Sequence, residues 1–133
     1  MTIPNPALEP AGQTTILIVD DDAPFYRAAA ELLADRGFRV IGYAATARDA
    51  VAECRRLKPQ GVLLDVRLPD GNGLALVETL SALPRPPRIV LTSSDPAAVP
   101  PEQLRASGAS GFIPKSQLAV SDLERFFGVD GPT

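Results

Sequence analysis

A chain of 133 residues, 45% of them hydrophobic, can bury the core of one domain and leaves little room for a second. Lys and Arg number 13 against 16 Asp and Glu, for a net charge of −3 and a pI near 4.9, so there is no basic surplus for nucleic-acid phosphates and direct nucleic-acid binding is not expected. The single cysteine, Cys54, excludes a disulfide within the chain, and with no histidine present any bound metal has to be held by oxygen.

Residues 1–13 carry Pro4, Pro6 and Pro10 without apolar periodicity and read as a disordered tail with no signal-peptide pattern. No apolar run approaches the roughly 20 residues that cross a bilayer, so a cytoplasmic protein without a membrane partner is expected. One folded unit is expected over 14–128, with 129–133 as a short C-terminal tail. Within it, β-branched runs at 15–19, 39–44, 61–64, 88–91 and 111–113 alternate with helix-sized segments, the pattern of βα units around a doubly wound parallel sheet.

The first helix is written in Phe25, Ala28, Ala29, Leu32 and Leu33, with Pro24 in the first turn and Gly37 as the stop. In the second, Thr46 is the N-cap, and Ala47, Ala50, Val51 and Cys54 share a stripe that makes Cys54 a core residue. The third runs from about 73 to 83, where Pro84 and Pro86 end it; in the fourth, Pro96, Pro100 and Pro101 leave only about 102–106 free to be helical. The fifth is expected over about 120–127.

Ligands of an open parallel sheet bind beyond the carboxyl ends of its strands. Those ends carry Asp20, Asp21 and Asp22, then Asp65, then Thr92 and Ser93, then Lys115. Asp22 reads as a helix cap. Two adjacent carboxylates facing a third repel one another unless a cation compensates, and Mg²⁺ suits an all-oxygen set of one or two carboxylates with water and phosphate.

The strings Ile16-Leu17-Ile18-Val19-Asp20-Asp21-Asp22 and Leu63-Leu64-Asp65-Val66-Arg67-Leu68-Pro69-Asp70-Gly71-Asn72-Gly73, the pair Thr92-Ser93, and Gly108-Ala109-Ser110-Gly111-Phe112-Ile113-Pro114-Lys115 together resemble the signature of response-regulator receiver domains. The resemblance covers about 14–127. It implies an α/β flavodoxin-like fold, a five-stranded parallel sheet of order 2-1-3-4-5 with helices on both faces, the order found in chemotaxis receivers. It also implies phosphorelay signalling, in which Asp65 accepts a phosphoryl group from a histidine kinase or phosphotransfer protein. Mg²⁺, or Mn²⁺ in its place, is then held by Asp20, Asp21, Asp65 and the carbonyl of Arg67. Thr92 and Lys115 act with Asp65 on the phosphoryl oxygens, and Thr92 and Phe112 form the switch. Such a domain is not an enzyme in its own right, although it phosphorylates itself from small donors and dephosphorylates itself. Its output is a contact with a downstream protein or a second copy through the face of the fourth helix, fifth strand and fifth helix.

Some residues depart from the commonest pattern: Ser116 follows the lysine where many relatives have proline, and Phe112 replaces a frequent tyrosine. Two rival readings use the same residues. A pseudo-receiver would bind partners without phosphorylation, and a phosphohydrolase of the haloacid-dehalogenase kind would use Asp20 and Asp22 and leave the Asp65 motif idle.

Overall fold

Thr15–Val19 and Gly61–Asp65 form two strands, β1 and β3, that are almost wholly buried along their lengths, as parallel strands covered on both faces must be. The computed structural model describes residues 13–128, so the tails expected at 1–13 and 129–133 lie outside it except for Gln13. Helix α1 (Ala23–Asp35) leads to β2 (Arg39–Ala44), and α2 (Ala47–Leu57) leads to β3. A two-residue hairpin, β4 (Arg67–Leu68) and β5 (Gly71–Asn72), precedes α3 (Gly73–Ser81). The chain continues through β6 (Arg88–Ser93), α4 (Pro101–Ser107), β7 (Gly111–Pro114), a 3₁₀ segment (Lys115–Val120) and α5 (Leu123–Phe126).

The main sheet has the order β2-β1-β3-β6-β7, all pairs parallel, which is the expected 2-1-3-4-5 once the hairpin strands are set aside. Alternation divides its side chains between two cores. Leu17, Val19, Val62, Leu64, Ile89 and Leu91 meet α2 and α3 on one side. Ile16, Ile18, Leu63, Val90 and Ile113 meet α1 and α5 on the other. Removing one such side chain, for example Leu33→Ala on α1, costs about 2–5 kcal/mol.

The caps follow the sequence. Asp22 Oδ1 accepts from Phe25 N–H at 3.3 Å, Thr46 Oγ1 accepts from Asp49 N–H at 3.0 Å, and Gly37 turns left-handed at φ +88° after α1. Cys54 is buried, and burial first, then the charge of Glu53, pushes its thiol up to about 11, which suits a packing residue. Ala28, expected on the buried stripe of α1, is exposed.

The fifth helix expected over 120–127 needs correction. The turn after β7 is 3₁₀ from Lys115 to Val120, and the α-helix is only the four residues Leu123–Phe126. Ser121 and Asp122 divide the two: Ser121 is extended and bonds Gln117 O through its hydroxyl at 2.7 Å, and Asp122 caps the short helix by accepting from Arg125 N–H at 3.2 Å. Arg36, at the end of α1, donates to the carbonyls of Ala119 and Ser121 and holds the junction. Other boundaries move less. Helix α3 stops at Ser81 rather than 83, β3 and β6 extend to Asp65 and Ser93, and α4 takes Pro101 into its first turn with Pro100 as its cap.

Candidate functional site

The sheet register brings the polar strand ends together. Asp65 pairs across β3 and β6 with Thr92, and β1 delivers Asp20 beside them. β7 ends at Pro114, so Lys115 begins the 3₁₀ turn at the same edge. Asp20, Asp65 and Thr92 are buried, whereas Asp21 is exposed at the rim.

Lys115 is the positive centre. Its Nζ lies 2.8 Å from Asp20 Oδ2 and 3.3 Å from Asp65 Oδ2, and 4.3 Å above the ring centre of Phe25. The contact to Asp65 is a hydrogen bond, whereas the closer approach to Asp20 is an ion pair not aligned as one. Burial alone would lower the lysine, but the carboxylate of Asp20 and then that of Asp65 outweigh it and its pKa is raised. Asp20 is also raised. Here burial is the largest cause and exceeds the opposing help of Lys115 and of the Asp22 N–H, which donates to Asp20 Oδ1 at 2.9 Å.

The carboxylates of Asp20, Asp21 and Asp65 each offer an oxygen within 4.8 Å of the others. Asp20 Oδ2 and Thr92 Oγ1 are buried without a hydrogen-bond partner among the described residues. A buried polar atom left unpaired costs about 1–3 kcal/mol, so the unpartnered Thr92 hydroxyl, beside an Asp20 oxygen whose one contact among the described residues is the Lys115 ammonium, fits a ligand that carries both a cation and oxygen acceptors. The donor set is hard oxygen throughout, as Mg²⁺ requires.

The loop after Asp65 is tied down. Arg67 N–H donates to Asp65 Oδ1 at 3.0 Å, and Gly73 N–H donates to Val66 O at 2.7 Å. The Arg67 guanidinium, mostly exposed, lies 3.9 Å from Asp95 across a cavity of about 260 Å³ that Asp65, Ser93 and Ser94 also line. Phe112 is half-buried and packs on the core layer of Leu91 and Val99, on the side of the sheet that α2 and α3 cover. Of the residues singled out from sequence, the buried Asp20, Asp65 and Thr92 and the half-buried Lys115 therefore form the centre, Asp21 and Arg67 its rim, and Phe112 a flank. Asp22, which a dehalogenase-like site would pair with Asp20, caps α1, and the acids whose oxygens come within 4.8 Å of one another are Asp20, Asp21 and Asp65.

Three contributors were not read from sequence. Phe25 was placed only on the apolar stripe of α1, yet its ring underlies Lys115. Asp70, one residue of the Asp65 string, reaches across to α2 and accepts from Ala47 N–H at 2.7 Å and Arg48 N–H at 3.1 Å. These two bonds, that to Ala47 first, hold its carboxyl below the usual range. Gly73 was read as a helix start; a Cβ there would stand 2.6 Å from the Asp65 carbonyl oxygen, so α3 sits directly on the Asp65 backbone. The two-glycine spacing Gly71-Asn72-Gly73 was the available signal for a close approach.

A family model described as the response regulator receiver domain matches residues 16–125. The chain is 38% identical over 104 residues to a DNA-binding transcriptional activator of Mycobacterium tuberculosis, DevR/DosR, a match covering 75% of this chain and 46% of that protein. It thus spans about half the length of the curated relatives it resembles, as also for PdtaR of the same organism, at 28% identity over 92% of this chain and 59% of the relative. Among solved structures, the response regulator domain of Thermotoga maritima CheB superimposes with a TM-score of 0.74 at 23% identity, over 89% of this chain and 98% of that one, a likeness of fold. A CheY-like receiver domain from Methylobacillus flagellatus gives 0.68 at 29% identity over 77% and 86%. With the matched span running from the first strand into the last helix, and the acids, hydroxyl and lysine gathered at one sheet edge, the chain belongs to the response regulator receiver domain family.

Proposed function

We propose that this domain works in a phosphorelay, with Asp65 taking the phosphoryl group of a histidine kinase or phosphotransfer protein. The observation that carries the reading is the cluster of buried Asp20, Asp65 and Thr92 around the half-buried Lys115, with the Thr92 hydroxyl unpartnered among the described residues. An Asp65 oxygen attacks phosphorus, the donor's N–P bond breaks, and its electron pair leaves with the imidazole nitrogen, which takes up a proton. Little covalent work falls to the protein, so positioning and charge neutralisation dominate.

Asp20, Asp21, Asp65 and the Arg67 carbonyl would hold Mg²⁺, or Mn²⁺, which supplies neutralisation of phosphoryl charge. The Lys115 ammonium leaves Asp65 for a phosphoryl oxygen, and the Thr92 hydroxyl turns toward another. Asp21, at the exposed rim, is where solvent and metal enter. Water attack on phosphorus later breaks the new O–P bond and restores the carboxylate, with the Arg67 side chain controlling access. The domain is a phosphoacceptor switch rather than an enzyme acting on a separate substrate.

Movement of Thr92 lets Phe112 change its packing, and this reaches the face of α4, β7 and α5, where a downstream protein or second copy binds. The shortness of α4 and α5 supports rearrangement of the turns around them rather than a shift of one long helix. The setting is cytoplasmic; among the described residues no helix is long and apolar enough to cross a membrane. The test is incubation with acetyl phosphate. Labelling should require Mg²⁺ or Mn²⁺, stop with chelator, and be largely lost in Asp21→Ala; metal-independent labelling would favour another chemistry, and no labelling at all would favour the pseudo-receiver.

A further inference from the structure

At the sheet edge opposite Asp65, where α2 and α3 end, a cavity of about 510 Å³ opens between the last turn of α2 and the loop that follows α3. The buried Cys54 and the half-buried Leu83 give it an apolar floor, and Pro84 and three cations, Arg55, Lys58 and Arg85, also line it. All three are exposed, and among the described residues none makes an ion pair or a side-chain hydrogen bond; their neighbour Arg56 is the one spent on Glu53.

Arg55 alone could be explained as a complement to the helix C-terminus. Two features go beyond that. Lys58 holds φ 50° and ψ 55°, the only positive φ of a non-glycine residue among those described, in the position after a helix that glycine fills without steric cost. Arg85 belongs to neither helix and stands in Leu83-Pro84-Arg85-Pro86-Pro87, where prolines fix φ on both sides of it. A lysine kept at strain on one wall and, on the other, an arginine whose backbone is held between prolines line one cavity with an apolar floor, and backbone restriction of this kind lowers the cost of binding.

We infer that this cleft is a docking site for an acidic segment of a partner protein, with carboxylates on the three cations and one apolar side chain on the floor. The size suits a few side chains rather than a helix face. Nucleic acid is the weaker fit, because three cations in a chain of net charge −3 make no phosphate-tracking stripe and the apolar floor would go unused. Being on the far edge from Asp65, the site should fill whether or not the phosphoacceptor is modified.

The test uses the full chain and a short fluorescein-labelled peptide with a central leucine flanked by glutamates, with fluorescence anisotropy as the readout. Binding should weaken with salt, fall about fivefold or more when glutamines replace the glutamates, and fall similarly in Arg85→Glu and Arg55→Glu. Arg27→Glu, the same charge change on an exposed face of α1, should stay within about twofold, and Asp65→Asn likewise. Lys58→Gly separates the roles: affinity should drop while the thermal midpoint holds or rises, since the backbone strain is relieved. Equal binding by the wild type and Arg85→Glu, or no peptide binding, would overturn the proposal, as would a preference for duplex DNA, anionic vesicles or a second copy of the chain.

Discussion

Replacing Gly73 by alanine puts a methyl group where the first turn of α3 presses on the backbone of Asp65. The new Cβ would lie 2.6 Å from Asp65 O and 2.8 Å from Val66 Cα, and neither atom belongs to a side chain that can rotate away. Ordinary contact begins near 3.4 Å, so α3 or the strand end has to retreat by roughly 0.6–0.8 Å in a well-packed region. Overpacking of this size costs about 1–3 kcal/mol. Alanine's helix propensity returns at most about 1 kcal/mol, and less at a first-turn position. A net loss of about 1–2 kcal/mol corresponds to a thermal midpoint lower by roughly 4–10 °C for a domain of this size. Because the retreat falls on the Asp65 carbonyl and strains the Gly73 N–H bond to Val66 O, labelling from acetyl phosphate should slow as well. Calorimetric melts of both proteins and a labelling time course test this. A midpoint equal to or above that of the wild type would mean that α3 does not rest on the Asp65 backbone as described.

Lys115→Ala leaves Asp20 and Asp65 facing each other without their cation, so labelling should fall about 10²–10³-fold, the usual loss for one transition-state charge partner. Its stability deficit should shrink as pH is lowered, because Asp20, already raised by burial, takes up a proton more readily in the folded state; a deficit independent of pH, measured by melts across the acid range, would contradict this. Asp70→Asn should be less stable than the wild type above the ordinary carboxylate range. The two proteins should converge as pH falls through the depressed pKa of Asp70, since a lowered carboxyl stabilises only while ionised, and melts that stay apart in acid would refute the cap. Arg67→Ala opens the cavity beside Asp65, and the labelled protein should lose its phosphoryl group at least about threefold faster; a rate unchanged within twofold would remove Arg67 from the path of water.

Much of this architecture is legible in the chain because strand periodicity and caps are local. The runs at 15–19 and 39–44 need no tertiary information, and Thr46 and Asp22 cap where their positions say they should. The buried site is legible because a parallel sheet forces strand ends to one edge, so Asp20, Asp65, Thr92 and Lys115 meet once the strands are ordered. What was hidden depends on contacts across sequence. The side chain of Asp70 reaches α2 23 residues away, Phe25 reaches Lys115 through the fold, and the break at Ser121 and Asp122 comes from side chains competing with a helix that the apolar pattern alone would continue. The cationic cleft is hidden for the same reason, since it brings Arg85, beside the prolines that end α3, to Arg55 and Lys58 at the end of α2.

Asp65 as the phosphoacceptor is checked by tandem mass spectrometry of protein treated with acetyl phosphate and Mg²⁺, after borohydride reduction of the acyl phosphate. One modified residue per chain is expected, at Asp65, and none in a folded Asp65→Asn variant. Modification at Asp20 or Asp21, or undiminished labelling of Asp65→Asn, would contradict it.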